Sequence, residues 1–185
     1  MQLATGGNML NFGYWSKEDT SPISAQNRLC DKVGKIAELD SANSLLDVGS
    51  GLSSPAIMWS MLYPNIDISC VNINYIQLQL AKKIVKEKTL NSTIHEINST
   101  STVLPFSTNS MERVIALESA QHFKPFSSFI SESYRVLKKD GYFLFCDFRT
   151  ADGLQELYDQ FSSSELKFLN RIDITDNIIT RICLL

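Results

Sequence analysis

No apolar run in this 185-residue sequence is long enough to cross a bilayer as a helix. The opening MQLATGGNMLNFGYW lacks a charged segment followed by an apolar one, so no secretory signal is expected. The four cysteines, Cys30, Cys70, Cys146 and Cys183, are widely spaced and form no C-x-x-C pair, which argues against a zinc knuckle and a redox dithiol. Free, mostly buried thiols in a reducing cytoplasm are the simplest expectation. Basic charge is not in excess: 17 Lys and Arg against 20 Asp and Glu leave a net charge of −3, which disfavours nucleic acid as a partner. No repeat and no Pro- or Gly-rich linker divides the chain. What remains is ordinary for one globular domain with a real core, with 44% hydrophobic and 20% charged residues. Histidine is scarce too. His95 falls in or beside a strand and reads as structural, which leaves His122 as the histidine available for chemistry.

Residues 1–22 are polar and aromatic with little periodicity and read as an N-terminal arm; residues 23–185 read as a single domain. Apolar spacing predicts a helix over about 24–39, with Leu29, Val33, Ile36 and Ala37 on one face. Strand 1 is Ser44–Val48. Ser54 suits an N-cap and Pro55 a first helical position, for a helix to Leu62. Strand 2 covers Asp67–Ile73, and Asn74 can cap a helix striped by Ile76, Leu80, Ile84 and Val85. Strand 3 is about Ser92–Ile97, strand 4 Arg113–Leu117, and a helix spans about Phe126–Leu137. Lys138-Lys139-Asp140-Gly141 reads as a helix stop and turn before strand 5, Tyr142–Asp147. A helix over about Gly153–Ser162 and a sixth strand at Lys167–Ile174 follow. Ile178–Leu185 has two readings: a strand forming a hairpin with strand 6, which its β-branched residues favour, or a helix start. Strands alternating with helices predict an α/β fold, with a parallel sheet covered on both faces and ligands beyond the carboxyl ends of the strands.

Leu45-Leu46-Asp47-Val48-Gly49-Ser50-Gly51-Leu52-Ser53-Ser54-Pro55 is the most informative stretch. An apolar run ends in an acid, a tight glycine turn follows, and a helix begins. This is how an α/β protein holds an adenosine-containing cofactor. A nicotinamide fingerprint would need a third glycine at Ser54 and an acid after strand 2. Both are missing, so a dehydrogenase is disfavoured.

Four segments together resemble class I S-adenosylmethionine-dependent methyltransferases, in particular the branch acting on small molecules. The first is Leu46–Gly51, where Gly49 and Gly51 match the family's turn and Ser53 replaces its third glycine. The second is Cys70–Gln77. Most members carry an acid at the end of strand 2 for the ribose; Asn72 stands there, and with Gln77 five positions on it reproduces the spacing of cyclopropane-synthase-like members. The third is Ser99-Thr100-Ser101 before Leu104-Pro105-Phe106, where the family's adenine-binding acid is replaced by hydroxyls. The fourth, Glu118-Ser119-Ala120-Gln121-His122, looks like the E-S-x-x-H stretch of tocopherol- and macrolide-type enzymes, whose histidine faces the substrate. Gln121 replaces the glutamate that cyclopropane synthases carry before the histidine, which disfavours that variant. Asn11-Phe12-Gly13-Tyr14-Trp15 is similar to the branch's opening arm, and Tyr134–Gly141 to its R-V-L-K-P-G-G segment.

The resemblance implies a Rossmann-like, doubly wound, mostly parallel sheet in the order 3-2-1-4-5, continued by strands 7-6 or shortened at its end. It implies S-adenosylmethionine as cofactor, S-adenosylhomocysteine as product and no metal. Cofactor contacts are expected from Tyr14, Asp47, Gly49, Ser50, Gly51, Asn72, Ile73, Gln77, Thr100, Ser101 and Leu117. His122 is the expected general base, since an imidazole with an ordinary pKa of roughly 6.5 can take a proton near neutrality. Glu118 is a second expected site residue with three open roles: orienting the substrate, bonding the cofactor loop, or standing solvated at the strand end. The expected reaction is methyl transfer to a small-molecule oxygen, nitrogen or carbon. The alternative is a methyltransferase-like protein that binds without catalysing. Homo-oligomerisation stays open.

Overall fold

Leu45 and Leu46 are adjacent and both fully buried, and neighbours on a strand point to opposite faces, so this strand must be covered on both sides. The computed structural model describes residues 7–19, 21–148 and 151–182. In chain order its elements are α1 (Pro22–Ile36), β1 (Ser44–Val48), α2 (Ser54–Leu62), β2 (Asp67–Asn72), α3 (Tyr75–Glu87), β3 (Ile94–Asn98), β4 (Met111–Leu117), α4 (Phe126–Val136), β5 (Leu137–Cys146), α5 (Ala151–Ser162) and α6 (Thr175–Ile182), with short 3-10 turns at Leu39–Ser41 and Ala120–His122. The five strands form one parallel sheet in the order β3-β2-β1-β4-β5, as expected. The chain steps outward from β1 to β3, then returns to lay β4 on the other side of β1. The loops leaving β1 and β4 therefore part at the carboxyl ends of the strands and leave a crevice there.

Strand alternation divides the core. Leu45, Ile68, Cys70, Ile94 and Ile115 pack with Leu29, Val33 and Trp59 on one face. Leu46, Val48, Val71, Val114 and Ala116 pack with Phe129 and Val136 on the other. Trp59 is fully buried, and its indole N–H donates to the carbonyl of Cys30 at 2.9 Å, which ties α2 to α1. Cys30 and Cys70 are buried free thiols, and Cys146 is a half-buried one; Cys183 lies outside the described residues. Among the described residues no helix is long and apolar enough to cross a membrane.

Helix starts follow local chemistry. Ser21 caps α1 by accepting from the Ser24 N–H, and Pro22 takes the first position, so the helix lies about two residues earlier than expected. Asn74 caps α3 as the sequence implies, accepting from the N–H groups of Ile76 and Gln77. At α2 the expectation fails by one residue. Ser53, not Ser54, is the N-cap, in a left-handed conformation with φ 56° and without a side-chain cap bond. The preceding turn runs through left-handed Gly49 and Gly51 and carries that conformation on to Ser53, so Ser54 and Pro55 become the first helical residues.

Two readings near the end of the chain are corrected, and the two-way reading of Ile178–Leu185 resolves to its helical alternative as far as the described residues run. Lys138–Gly141 is not a turn before β5 but a bulge within it: from Met111 to Arg113 on β4, the paired residues of β5 advance from Leu137 to Tyr142, with Asp140 left-handed at φ 63°. Lys167–Ile174 is not a strand. It finds no neighbour to pair with, and its apolar Phe168, Leu169 and Ile172 remain exposed, so β propensity alone does not make a ladder. Thr175–Ile182 is helical rather than the second arm of a hairpin, because Asp173 accepts from both the N–H and the hydroxyl of Thr175 and starts a helix there. The described sheet accordingly ends at β5 without a 7-6 pair.

Candidate active site

The turn after β1 is built by close approach. The N–H groups of Gly49 and Ser50 both donate to the carbonyl of Val71, at 2.7 and 3.1 Å, which pins the turn to β2. Ser119, just after β4, donates its hydroxyl to the carbonyl of Val48 at 2.8 Å. A Cβ on Gly49 would lie 2.5 Å from the Cβ of Ser119, and the backbone there has φ +78°. The glycine turn and the segment leading to His122 are thus packed face to face, and only glycine fits between them. Gly49→Ala is expected to cost roughly 3 kcal/mol or more in urea unfolding, from strain and overlap together. Adding Ser119→Gly should recover part of the loss; a variant as stable as the parent would show that the turn relaxes freely.

A cleft of about 150 Å³ opens beside this turn, lined by residues that include Gly49, Asn72, Ile73, Thr100, Ser101 and His122. Six of the expected site residues therefore share one hollow. Asn72 is buried, and its amide is fully engaged: it donates to the Gly51 carbonyl at 3.1 Å and to the Gln77 side-chain oxygen at 2.9 Å, and accepts from the Asn74 N–H at 3.1 Å. It braces the glycine turn against the start of α3 and orients Gln77 through the side-chain oxygen of that residue. Thr100 is turned toward its own loop, sharing a 2.7 Å hydrogen bond with the hydroxyl of Thr102. Ile73 is mostly exposed at the rim. His122 sits in the 3-10 turn after β4, where its N–H donates to the Ser119 carbonyl and the residue lines the cleft.

Asp47, Glu118 and the arm lie near the glycine turn. Asp47 is only 2% exposed; burial pushes its carboxyl up to about 7, and its Oδ2 has no hydrogen-bond partner among the described residues. Glu118 has a left-handed backbone, φ 48°, and is half-buried. Its Oε2 accepts the Phe12 N–H at 2.8 Å, while its Oε1 is buried and unpartnered among the described residues. Burial pushes Glu118 up to about 7; the Phe12 N–H opposes the shift and the nearby Asp147 adds to it. Leu117 precedes it, buried in the core. Burial also pushes the thiols of Cys30 and Cys146 well up, so neither is a nucleophile.

Leu10 of the arm lies over Gly51, 3.2 Å from where a Cβ would stand. Tyr14 packs against the core and bonds Ala25 through its N–H; one face of its ring is occupied by Lys32, whose Nζ lies 4.8 Å from the centroid. His95 pairs with Asp67 across neighbouring strands at 2.8 Å, in keeping with a structural role.

Sequence reasoning missed the residues that hold these loops. Arg135 of α4 donates to the carbonyls of Leu104 and Phe106, and Glu132 accepts from the Leu104 N–H, so α4 fixes the Leu104-Pro105-Phe106 loop. Gln26 of α1 grips the arm. No spacing rule links such partners. A larger groove of about 430 Å³ lies away from the site, beside the β5 bulge, and holds none of the expected site residues. Among the described residues no three His, Cys, Asp or Glu cluster as metal ligands would.

Residues 46–145, more than half of the chain, match the family described as a methyltransferase domain. The chain belongs to that family. Among relatives of this methyltransferase domain, erythromycin 3''-O-methyltransferase of Saccharopolyspora erythraea is 26% identical over 140 residues, covering 76% of this chain and 46% of that protein. The 27-O-demethylrifamycin SV methyltransferase of Amycolatopsis mediterranei is 27% identical over 142 residues, covering 77% and 52%. The chain thus spans about half the length of these curated relatives. The crystal structure of the cyclase SpnF superposes with a TM-score of 0.88 over 96% of this chain and 72% of that one, at 23% identity. Geranyl diphosphate C-methyltransferase of Streptomyces coelicolor, solved with S-adenosyl-L-homocysteine, has a TM-score of 0.80 at 13% identity and covers 96% and 77%. At these identities the structural likeness speaks for the fold.

Proposed function

We propose that this methyltransferase domain binds S-adenosylmethionine and transfers its methyl group to a small-molecule acceptor, with His122 as general base. One observation carries the reading. Two carboxyl groups, the buried Asp47 and the half-buried Glu118, flank the glycine turn, each with a buried oxygen that no described residue satisfies. Buried carboxyls without a cation are costly. A ligand bearing an ammonium and a sulfonium beside that turn would supply the missing charge, so the residues present fit the cofactor.

S-adenosylmethionine supplies an electrophilic methyl group on sulfur and leaves as S-adenosylhomocysteine. The chain's part is binding, orientation and one proton. Gly49, Ser50 and Gly51 offer backbone against the methionine end. Gln77, positioned by Asn72, would meet the ribose, and Ile73, Thr100 and Ser101 would line the adenine side. Leu117 and Tyr14 close the site from the core side and the arm. His122, across the cleft from Gly49, would take the proton of an acceptor hydroxyl as it attacks, and water exclusion by the arm favours that attack. The two named relatives bear O-methyltransferase and rifamycin methyltransferase names, in keeping with a hydroxyl acceptor on a bulky, partly apolar molecule.

A second reading, binding without turnover, draws on Asn72 and Thr100. Neutral groups stand at both positions, and both are engaged with their own loops. Incubation with methyl-labelled S-adenosylmethionine and a panel of phenols, sugar alcohols and amines separates the two. Methyl transfer is expected to at least one hydroxyl acceptor, with one S-adenosylhomocysteine released per methyl. Tight cofactor binding with no transfer to any acceptor would favour the binder.

A further inference from the structure

The arm before α1 is gripped by its backbone, through three side chains from three elements. Gln26 of α1 donates to the carbonyls of Met9 and Asn11, at 3.2 and 2.6 Å. Asn177 of α6 donates to the carbonyl of Trp15 at 3.0 Å, and its own carbonyl accepts the Trp15 N–H at 2.9 Å. Glu118, after β4, accepts the Phe12 N–H at 2.8 Å. The first two grips are between neutral groups and hold whatever the site contains. The third is made by a group that can change charge, and its second oxygen is buried and unpartnered among the described residues. Gly13 seats the arm against α1, where a Cβ would lie 2.7 Å from the Ala25 backbone, and this leaves Leu10 over Gly51.

We propose that Glu118 is the latch of the arm: it holds the arm over the glycine turn through the Phe12 N–H, and a cation bound beside its second oxygen tightens that hold. The reasoning is electrostatic. A neutral carboxyl accepts weakly, whereas a carboxylate forms a hydrogen bond about twice as strong. Burial, and Asp147 just beyond β5, disfavour the charge on Glu118. A cation beside Oε1 reverses this, so the bond to Phe12 strengthens as the ligand arrives, and by linkage the closed arm binds that cation more tightly. Glu118 then acts at the site twice, through the cation beside Oε1 and through the arm held by Oε2. The latch stands on the geometry of the free protein; the coupling rests on the cofactor reading.

Hydrogen exchange of the arm amides, residues 8–16, tests both parts in the parent, Glu118→Ala and Glu118→Gln, each with and without S-adenosylhomocysteine, whose ammonium is the probe cation. In Glu118→Ala, exchange at Phe12 and its neighbours should quicken about tenfold while β1 and β4 keep their protection. Glu118→Gln keeps an acceptor oxygen and cannot ionise. It should restore arm protection in the free protein yet gain less from S-adenosylhomocysteine than the parent does. Unchanged arm exchange in Glu118→Ala overturns the latch. Equal slowing by the ligand in the parent and Glu118→Gln overturns the coupling. If Glu118→Ala loses its core protection, the Gln comparison decides. A parent that binds no S-adenosylhomocysteine while Glu118→Ala still frees the arm leaves the latch standing and defeats the cofactor reading.

Discussion

His122→Ala is expected to lower turnover by about 10²- to 10⁴-fold, the usual contribution of a positioned general base, while leaving S-adenosylhomocysteine affinity within about twofold. The separation follows from where the residue stands. It lines the cleft from the 3-10 turn after β4, whereas the glycine turn is held by Val71, Asn72 and Ser119, which the substitution leaves in place. Histidine suits a hydroxyl acceptor, whose proton must leave as oxygen attacks, and an amine that is already neutral needs no such help. The loss should therefore be large for phenols and alcohols and small for a neutral amine. Equal turnover in parent and variant, with single-turnover assays confirming that chemistry limits both, would remove His122 from the reaction.

Asp47→Asn should move stability and binding in opposite directions. The folded carboxyl is pushed up to about 7 by burial alone, against an ordinary value of 3.8. A group whose pKa is raised by folding contributes stability below its unfolded value and loses it as pH rises through the folded one. In the ligand-free protein, then, Asp47 becomes increasingly unfavourable between about pH 4 and 7 and levels off above, by on the order of 2–4 kcal/mol. An amide cannot ionise and escapes this penalty. Tm of the free variant should exceed that of the parent by roughly 5 °C at pH 8, with the difference shrinking toward pH 4. Cofactor affinity should fall by about 10- to 100-fold, because a charge-assisted contact worth about 1.5–3 kcal/mol is lost. Thermal melts across pH and a binding titration check both signs. A variant less stable than the parent at pH 8 would mean that the carboxylate has a partner in the folded protein. The pattern is a stability cost retained at a functional site.

The sheet was legible because Leu45-Leu46 and the runs at Ile68–Val71 and Val114–Leu117 leave no polar face, and only a strand covered on both sides tolerates that. Asn74 was legible as a cap because its bonds reach two and three residues along the chain. Contacts that span the chain were not. Phe12 and Glu118 are 106 residues apart, and Trp15 and Asn177 are 162 apart, and neither pair leaves a periodic trace. Ser54 was named the cap on residue type, but the left-handed path of the glycine turn decided for Ser53. Lys167–Ile174 had strand-like residues without a strand beside them. Asn72 was read as a ribose contact from its place at the end of β2. Its bonds to Gly51, Gln77 and Asn74 were not legible in that reading, and they add the task of setting Gln77.

Calorimetric titration of the folded chain with S-adenosylmethionine and S-adenosylhomocysteine tests the central claim most directly. Both should bind with Kd on the order of micromolar, about −8 kcal/mol, at one site per chain. No binding heat for either ligand across two temperatures, from a sample with a cooperative melt, would contradict the account. It would leave Asp47 Oδ2 and Glu118 Oε1 as buried carboxyl oxygens without a partner among the described residues.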